Sequence, residues 1–233
     1  MANFPAVLIG GYRNFTARRF AAERIRYRML AEDGQRPHTL LIACCDSRCA
    51  PETIFDCGPG ELFVVRNVAN MVPPYEPDGS LHATSAAIEY AIHALQIQNI
   101  VVVGHGRCGG IKAALEPMAE PLSPGDFIGK WMSLIKSAAG QIQNSALMTP
   151  AERQTALERV SIRNSIENLR GFPYVRALEE QGRLRIHGAW FDISSGELWL
   201  LETETGDFVR PDLSHPEFEP QAPDLSSQLS WTG

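Results

Sequence analysis

Two apolar runs, Thr39-Leu-Leu-Ile-Ala43 and Ile100-Val-Val-Val103, each lead without a break into residues that bind metals, and this pairing constrains the fold more than any other feature. Short runs of aliphatic residues with no polar alternation read as strands buried on both faces. The first is followed by Cys44-Cys45-Asp46-Ser47-Arg48 and the second by His105-Gly106-Arg107-Cys108-Gly109-Gly110. Cys44, His105 and Cys108 together offer two thiolates and one imidazole, a soft set suited to zinc, and three protein ligands leave a fourth position open, as a catalytic site requires. Cys45 is a rival to Cys44, but neighbouring side chains on a strand point to opposite faces. Asp46 and Arg48 add a carboxylate and a guanidinium beside the metal.

Around these runs, strands alternate with helices. A third strand, Glu61–Val65, continues into Arg66-Asn-Val-Ala-Asn70. Helical spacing appears over Asn14–Ala31, over about 83–95, from Gly109, and through Phe127, Trp131, Leu134, Ile135 and Ala138. Thr149-Pro150-Ala151-Glu152 has the form of a capping box and opens a helix that ends near Gly171. A short helix, Tyr174–Glu180, precedes a hairpin of Leu184–Ile193 and Glu197–Leu201 joined at Ser194-Ser195-Gly196. The pattern predicts an α/β fold: a mostly parallel central sheet of four strands plus an antiparallel edge strand, flanked by helices, with an N-terminal helical arm. Residues 1–209 read as one domain with the arm at about 1–34, and 210–233 as an extended or disordered tail rich in Pro and Ser. In such sheets ligands bind beyond the carboxyl ends of the strands, where both metal motifs begin.

Composition excludes several classes of function. At 233 residues and 44% hydrophobic content the chain can bury a core of its own. A net charge of −6 without a basic run argues against nucleic acid and anionic membranes as partners. No stretch approaches the roughly 20 apolar residues of a membrane span, and the apolar patch Phe4–Ile9 lacks the flanks of a signal sequence. Five cysteines, an odd number in a chain this long, read as reduced thiols of a cytoplasmic protein, with no role for Cys45, Cys49 or Cys57. His38, His82, His93, His187 and His215 read as structural rather than as ligands, with a proton relay open to any of them, and Arg66 reads as an internal salt-bridge partner, with an anion site as the alternative.

The Cys44/Asp46-Ser47-Arg48 and His105/Cys108 motifs, with Arg66-Asn-Val-Ala-Asn70, Glu89-Tyr90, Gly109-Gly110 and His187-Gly188, resemble the β-class carbonic anhydrases over roughly Gln35–Glu202, and the plant-like subgroup in particular. The resemblance implies one Zn2+ per chain on Cys44, His105 and Cys108, and reversible hydration of carbon dioxide to bicarbonate by zinc-bound hydroxide. It implies that Arg48 keeps Asp46 ionised, that Asp46 accepts a hydrogen bond from the hydroxide, and that Asp46 can become a fourth zinc ligand in a closed state. The substrate pocket falls on Gln35, Phe63, Val68, Tyr90 and Gly109. The bicarbonate-regulated subgroup has a tryptophan where this chain has Leu41. Because the family builds its site from two subunits, the resemblance also implies a homodimer or larger homo-oligomer. Two other readings stay open: hydrolysis of CS2 or COS on the same fold, and a non-catalytic zinc or redox-sensing protein. An intact Asp46–Arg48 pair speaks against the second.

Overall fold

The computed structural model describes residues 4–116 and 120–214. Its strands are β1 (Thr39–Cys44), β2 (Leu62–Asn67), β3 (Asn99–His105), β4 (Arg185–Asp192), β5 (Glu197–Leu201) and β6 (Phe208–Val209). Their order in one sheet is β2-β1-β3-β4-β5-β6, the first four mutually parallel and the last two antiparallel. The helices are α1 (Ala6–Ala17), α2 (Arg19–Asp33), α3 (Pro51–Ile54), α4 (Ala83–His93), α5 (Gly109–Leu115), α6 (Phe127–Met132), α7 (Lys136–Gln143), α8 (Pro150–Gly171) and α9 (Pro173–Glu180).

The unbroken apolar runs have the cause the sequence suggests. On one face of the sheet Leu40, Ile42, Ile100, Val102 and Ile186 join a core with Ile88 and Ile92 of α4, Ile162, Ile166 and Leu169 of α8, and Val175 of α9. Leu41, Ala43, Val103 and Ala189 form a smaller cluster on the other face. Register then sets the height of the site. Ala43 lies beside Val103, Cys44 beside Asn67, and β3 continues to His105 beside Phe191. The carboxyl ends of β1 and β3 therefore sit together at one end of the sheet.

α8 is the longest helix described and begins as its sequence dictates. Thr149 Oγ1 accepts from the Glu152 amide, Glu152 Oε2 accepts from the Thr149 amide, and Pro150 occupies the first turn. Its buried face carries Leu157, Ser161, Ile162, Ser165, Ile166 and Leu169, together with Glu158. The serines and Asn168 tie down the segment after β2. Ser161 donates to Ala69 O, Ser165 donates to Asn70 O and accepts from Val72 N, and Asn168 donates to Val72 O.

Three local expectations are corrected. The single arm helix is two, α1 starting earlier than Asn14 and α2 following a break at Arg18 (φ −120°, ψ −77°). The stripe through Phe127 is interrupted by a 3-10 turn at Ser133–Ile135, and Phe127 itself is 81% exposed. The antiparallel edge is the two-residue β6, so β5 is an inner strand. Of the expected tail, residues 215–233 lie outside the described residues, as does His215. Neither α1 nor α2 buries a residue in this chain, and Phe4, Val7, Leu8, Ile9, Tyr12 and Ile25 are exposed.

Candidate metal centre

Cys44 ends β1, His105 ends β3, and Cys108 caps the N-terminus of α5. Their ligand atoms all lie within 4.8 Å of one another, and the Cys44 and Cys108 sulfurs are 3.9 Å apart. All three residues are buried, and Cys44 and Cys108 belong to a cluster that includes Ala69, Met71 and Ile111. His105 Nδ1 is 2.9 Å from Gly106 O. A carbonyl only accepts, so Nδ1 carries the proton and Nε2 of the neutral ring keeps its lone pair. Nε2 is buried and has no hydrogen-bond partner. A metal ion is the natural occupant beside an unpartnered imidazole nitrogen and two sulfurs.

The electrostatics agree. A hydrogen bond from Cys108 pulls the Cys44 thiol down to about 4 against the effect of burial, and the same bond pushes Cys108 up. Burial opposes a charge on His105, yet the Cys44 and Cys49 sulfurs outweigh it and raise the ring to about 10. The three side chains thus form a pocket that attracts positive charge. A divalent ion would supply that charge and displace two protons to solvent, the one shared by the thiols and the second one on the imidazole, leaving the ring neutral. The soft donors, their number and their burial fit zinc.

The loop after β1 is held from both sides. Asp46 receives a fork from Arg48, Nε to Oδ1 at 2.9 Å and Nη2 to Oδ2 at 2.7 Å, and the Arg48 amide donates to Oδ1 at 3.0 Å. These hydrogen bonds hold the Asp46 carboxyl well below the usual carboxylate range. Asp46 Oδ2 lies 3.9 Å from His105 Nε2, so the carboxylate borders the centre while bound to Arg48. Arg66 donates to the carbonyls of Cys44 (2.9 Å) and Asp46 (2.6 Å). The expected internal salt bridge of Arg66 is therefore replaced by a guanidinium that secures the ligand loop through main-chain oxygens.

The segment after β2 supplies another contact. Ala69 (φ 64°) and Asn70 (φ 49°) adopt left-handed conformations that ordinary side chains disfavour. The helix α8 contacts and the Asn67 side chain, bonded to Met71 N and O, hold them there. That geometry points the Ala69 amide at Cys44 Sγ, 3.4 Å away. Strain stored beside a site and restrained by its surroundings is a mark of function.

The five residues expected to line the substrate pocket separate into two groups. Val68 packs on the cluster containing Cys44 and Cys108, its carbonyl accepting from Trp131 Nε1 at 2.8 Å. Gly109 starts α5 with open space over its Cα, and a side chain on Gly110 would meet Val68 at 2.7 Å. Phe63 is paired with Leu40, four residues before Cys44, roughly 13 Å away at about 3.3 Å per residue. Its ring stands 5.8 Å from that of Tyr90, which is 52% exposed, and Gln35 is exposed between α2 and β1. One chain does not bring these three to its own metal centre. Cys45 is exposed and outside the ligand cluster, as strand alternation predicts.

Sequence reasoning missed Glu158, which is 2% exposed and accepts from the Cys108 amide (2.9 Å), Gln154 Nε2 (3.1 Å) and Trp190 Nε1 (3.1 Å). Burial pushes its carboxyl up, against the effect of these donors. The available signal was an acidic residue on the apolar face of a helix, between Leu157 and Ile162.

Comparison with known proteins places this geometry. The sequence profile of the carbonic anhydrase family matches residues 39–198. β Carbonic anhydrase 5 (chloroplastic) of Arabidopsis thaliana is 38% identical over 179 residues, 76% of this chain and 58% of that protein. β Carbonic anhydrase 3 of the same plant is 37% identical over 201 residues, 84% of this chain and 76% of that protein. Among solved structures, the β-carbonic anhydrase CcaA superposes with a TM-score of 0.81 at 30% identity, covering 88% of this chain and 98% of the other. A tetrameric β-carbonic anhydrase of the ascomycete Sordaria macrospora gives 0.72 at 30% identity, covering 84% and 95%. This chain belongs to the β-class carbonic anhydrases, a family of zinc enzymes. It spans just over half the length of the chloroplastic relative and three quarters of the other.

Proposed function

We propose that the protein catalyses reversible hydration of carbon dioxide to bicarbonate and a proton, with one zinc per chain on Cys44, His105 and Cys108. The observation that carries this reading is the Asp46–Arg48 fork bordering a buried two-thiol, one-imidazole cluster. When bound, zinc supplies Lewis acidity at its open position, making water a competent nucleophile near neutral pH. The residues of the chain do the rest. Asp46, kept ionised by Arg48, accepts a hydrogen bond from the nucleophile and directs its lone pair at the carbon of CO2. An ionised carboxylate in a fork has no proton to give, so the proton released per turnover leaves to solvent or buffer. Val68 offers CO2 a surface without competing polar groups, and Gly109 leaves room for it. Release of Asp46 by Arg48 would let the carboxylate close the fourth metal position.

Gln35, Phe63 and Tyr90 belong, on this reading, to the site of a neighbouring copy. Their distance from the centre of their own chain supports it, as does the apolar α1–α2 arm that this chain leaves uncovered. The functional unit is then a homodimer or larger assembly. A cytoplasmic location is part of the proposal, supported by five cysteines that are all free. Among the described residues no helix is long and apolar enough to cross a membrane. The test is stopped-flow CO2 hydration with parallel zinc analysis for wild type and Asp46→Asn, with COS and CS2 assayed alongside. Zinc-loaded wild type inactive towards CO2 would overturn the reading, as would an Asp46→Asn enzyme of undiminished rate.

A further inference from the structure

Cys108 is the ligand with least support from its own strand, because it follows Arg107, a non-glycine residue at φ 57°. Its peptide is gripped on both sides by α8. The amide donates to Glu158 Oε1 at 2.9 Å, and the carbonyl accepts from Gln154 Nε2 at 3.1 Å, one helical turn earlier. Gln154 also donates to Glu158 Oε1 at 3.1 Å, and Trp190 of β4 donates to the other oxygen at 3.1 Å. Trp190 lies beneath the same loop, its ring 3.2 Å from where a side chain on Gly106 would start. A fully buried carboxylate whose two oxygens meet three N–H groups is fixed in place, and it fixes what it binds.

We propose that Glu158 is a positioning residue for the metal centre, clamping the Cys108 peptide with Gln154 so that the sulfur is aimed before the metal arrives. The proposal rests on the zinc reading above. Its chemistry is specific to a carboxylate. Glutamine is nearly isosteric but has one acceptor oxygen, so its NH2 must face either the Cys108 amide or the Trp190 indole, donor against donor. The Cys108 peptide must then turn or lose a partner, and the sulfur turns with it. Glu158 touches neither substrate nor metal, and its influence passes through main-chain atoms of a ligand.

The test measures metal binding apart from turnover, on full-length wild type, Glu158→Gln, Gln154→Ala and the surface control Glu167→Gln. Zinc affinity is read by competition with a chromophoric chelator, and thiolate geometry by the sulfur-to-cobalt charge-transfer band of the Co(II)-substituted protein. Glu158→Gln is expected to weaken zinc binding by about 10- to 100-fold and to shift the cobalt band, while Glu167→Gln matches wild type. A purely structural role would lower the melting temperature and leave affinity and band unchanged in folded protein, and that result overturns the clamp. If Glu158→Gln does not fold by circular dichroism, Gln154→Ala decides: weaker zinc with a shifted band supports the clamp, and wild-type values overturn it. Wild type that binds no zinc would refute the metal reading itself, a failure distinct from that of the clamp.

Discussion

Replacing Arg48 by alanine isolates what the fork does. Residue 48 holds Asp46 by three contacts: its amide to Oδ1 at 3.0 Å, Nε to Oδ1 at 2.9 Å and Nη2 to Oδ2 at 2.7 Å. Alanine keeps only the first, and Oδ2, the oxygen nearest His105, loses its donor. A carboxylate on one contact can visit its other staggered rotamers. Displacing a positioned group by about 1 Å costs on the order of 100-fold in rate, so kcat/KM for CO2 should fall by about that factor. Arg48→Lys keeps the charge but offers a single ammonium that cannot span both oxygens, and a loss of roughly 10-fold is expected. Zinc should stay bound, because the side chain of Arg48 meets Asp46 and Arg107 O but no ligand side chain. Stopped-flow hydration with zinc analysis by mass spectrometry measures both. An Arg48→Ala enzyme within about threefold of wild type would refute the dyad, and loss of zinc would show that Arg48 acts on the ligand loop through Arg107 instead.

Cys44→Ser and His105→Ala should each lose zinc and activity, whereas Cys45→Ser, altering an exposed thiol outside the cluster, should keep both; zinc loss confined to Cys45→Ser would mean the wrong cysteine is assigned. Sedimentation should find a dimer or larger assembly at assay concentrations, and a fully active monomer would defeat the shared site proposed for Phe63 and Tyr90. Activity should climb from pH 7 towards about pH 8 to 9, since two thiolates leave the metal less positive than the three-histidine centre that acidifies its water to about 7. Asp46 does not produce that climb: its pKa is depressed, so its charge and the fork's stability are lost only as pH falls through the acid range. A flat profile from pH 6 to 9 would defeat the thiolate argument.

Much of the centre was legible because its information is local. Strand alternation keeps Cys44 and Cys45 from facing the same side, the resemblance picks Cys44, and the end of an apolar run places His105 at the right height. Contacts across long sequence separations were not legible. Arg66 looked like half of an ion pair, and nothing near it in sequence says that its partners are two carbonyls. Phe127 fits a helical stripe by spacing, but a 3-10 turn at Ser133–Ile135 divides that stripe and the Phe127 ring itself stands in solvent. The arm misled in a similar way. Periodicity shows that a face is apolar without showing that a break at Arg18 divides it or that its own chain leaves it bare.

The least legible part also links fold to chemistry. A side chain on Gly104 of β3 would meet Ile162 at 2.8 Å, and one on Gly188 of β4 would meet Ile162 at 2.8 Å and Leu201 at 3.0 Å. The two glycines form a notch on adjacent strands in which the fully buried Ile162 seats α8 against the sheet. Glu158 is one helical turn from Ile162, on the same face. The height at which α8 rests on the glycines is thus the height at which Glu158 reaches the Cys108 amide. Gly104 is also level with Trp190, whose indole holds the second Glu158 oxygen. Any residue that lifted the helix from the notch would withdraw the carboxylate from both partners together. If Glu158 clamps Cys108 as proposed, a packing requirement among Gly104, Gly188 and Ile162 is also a requirement of the metal centre, although none of the three is a ligand.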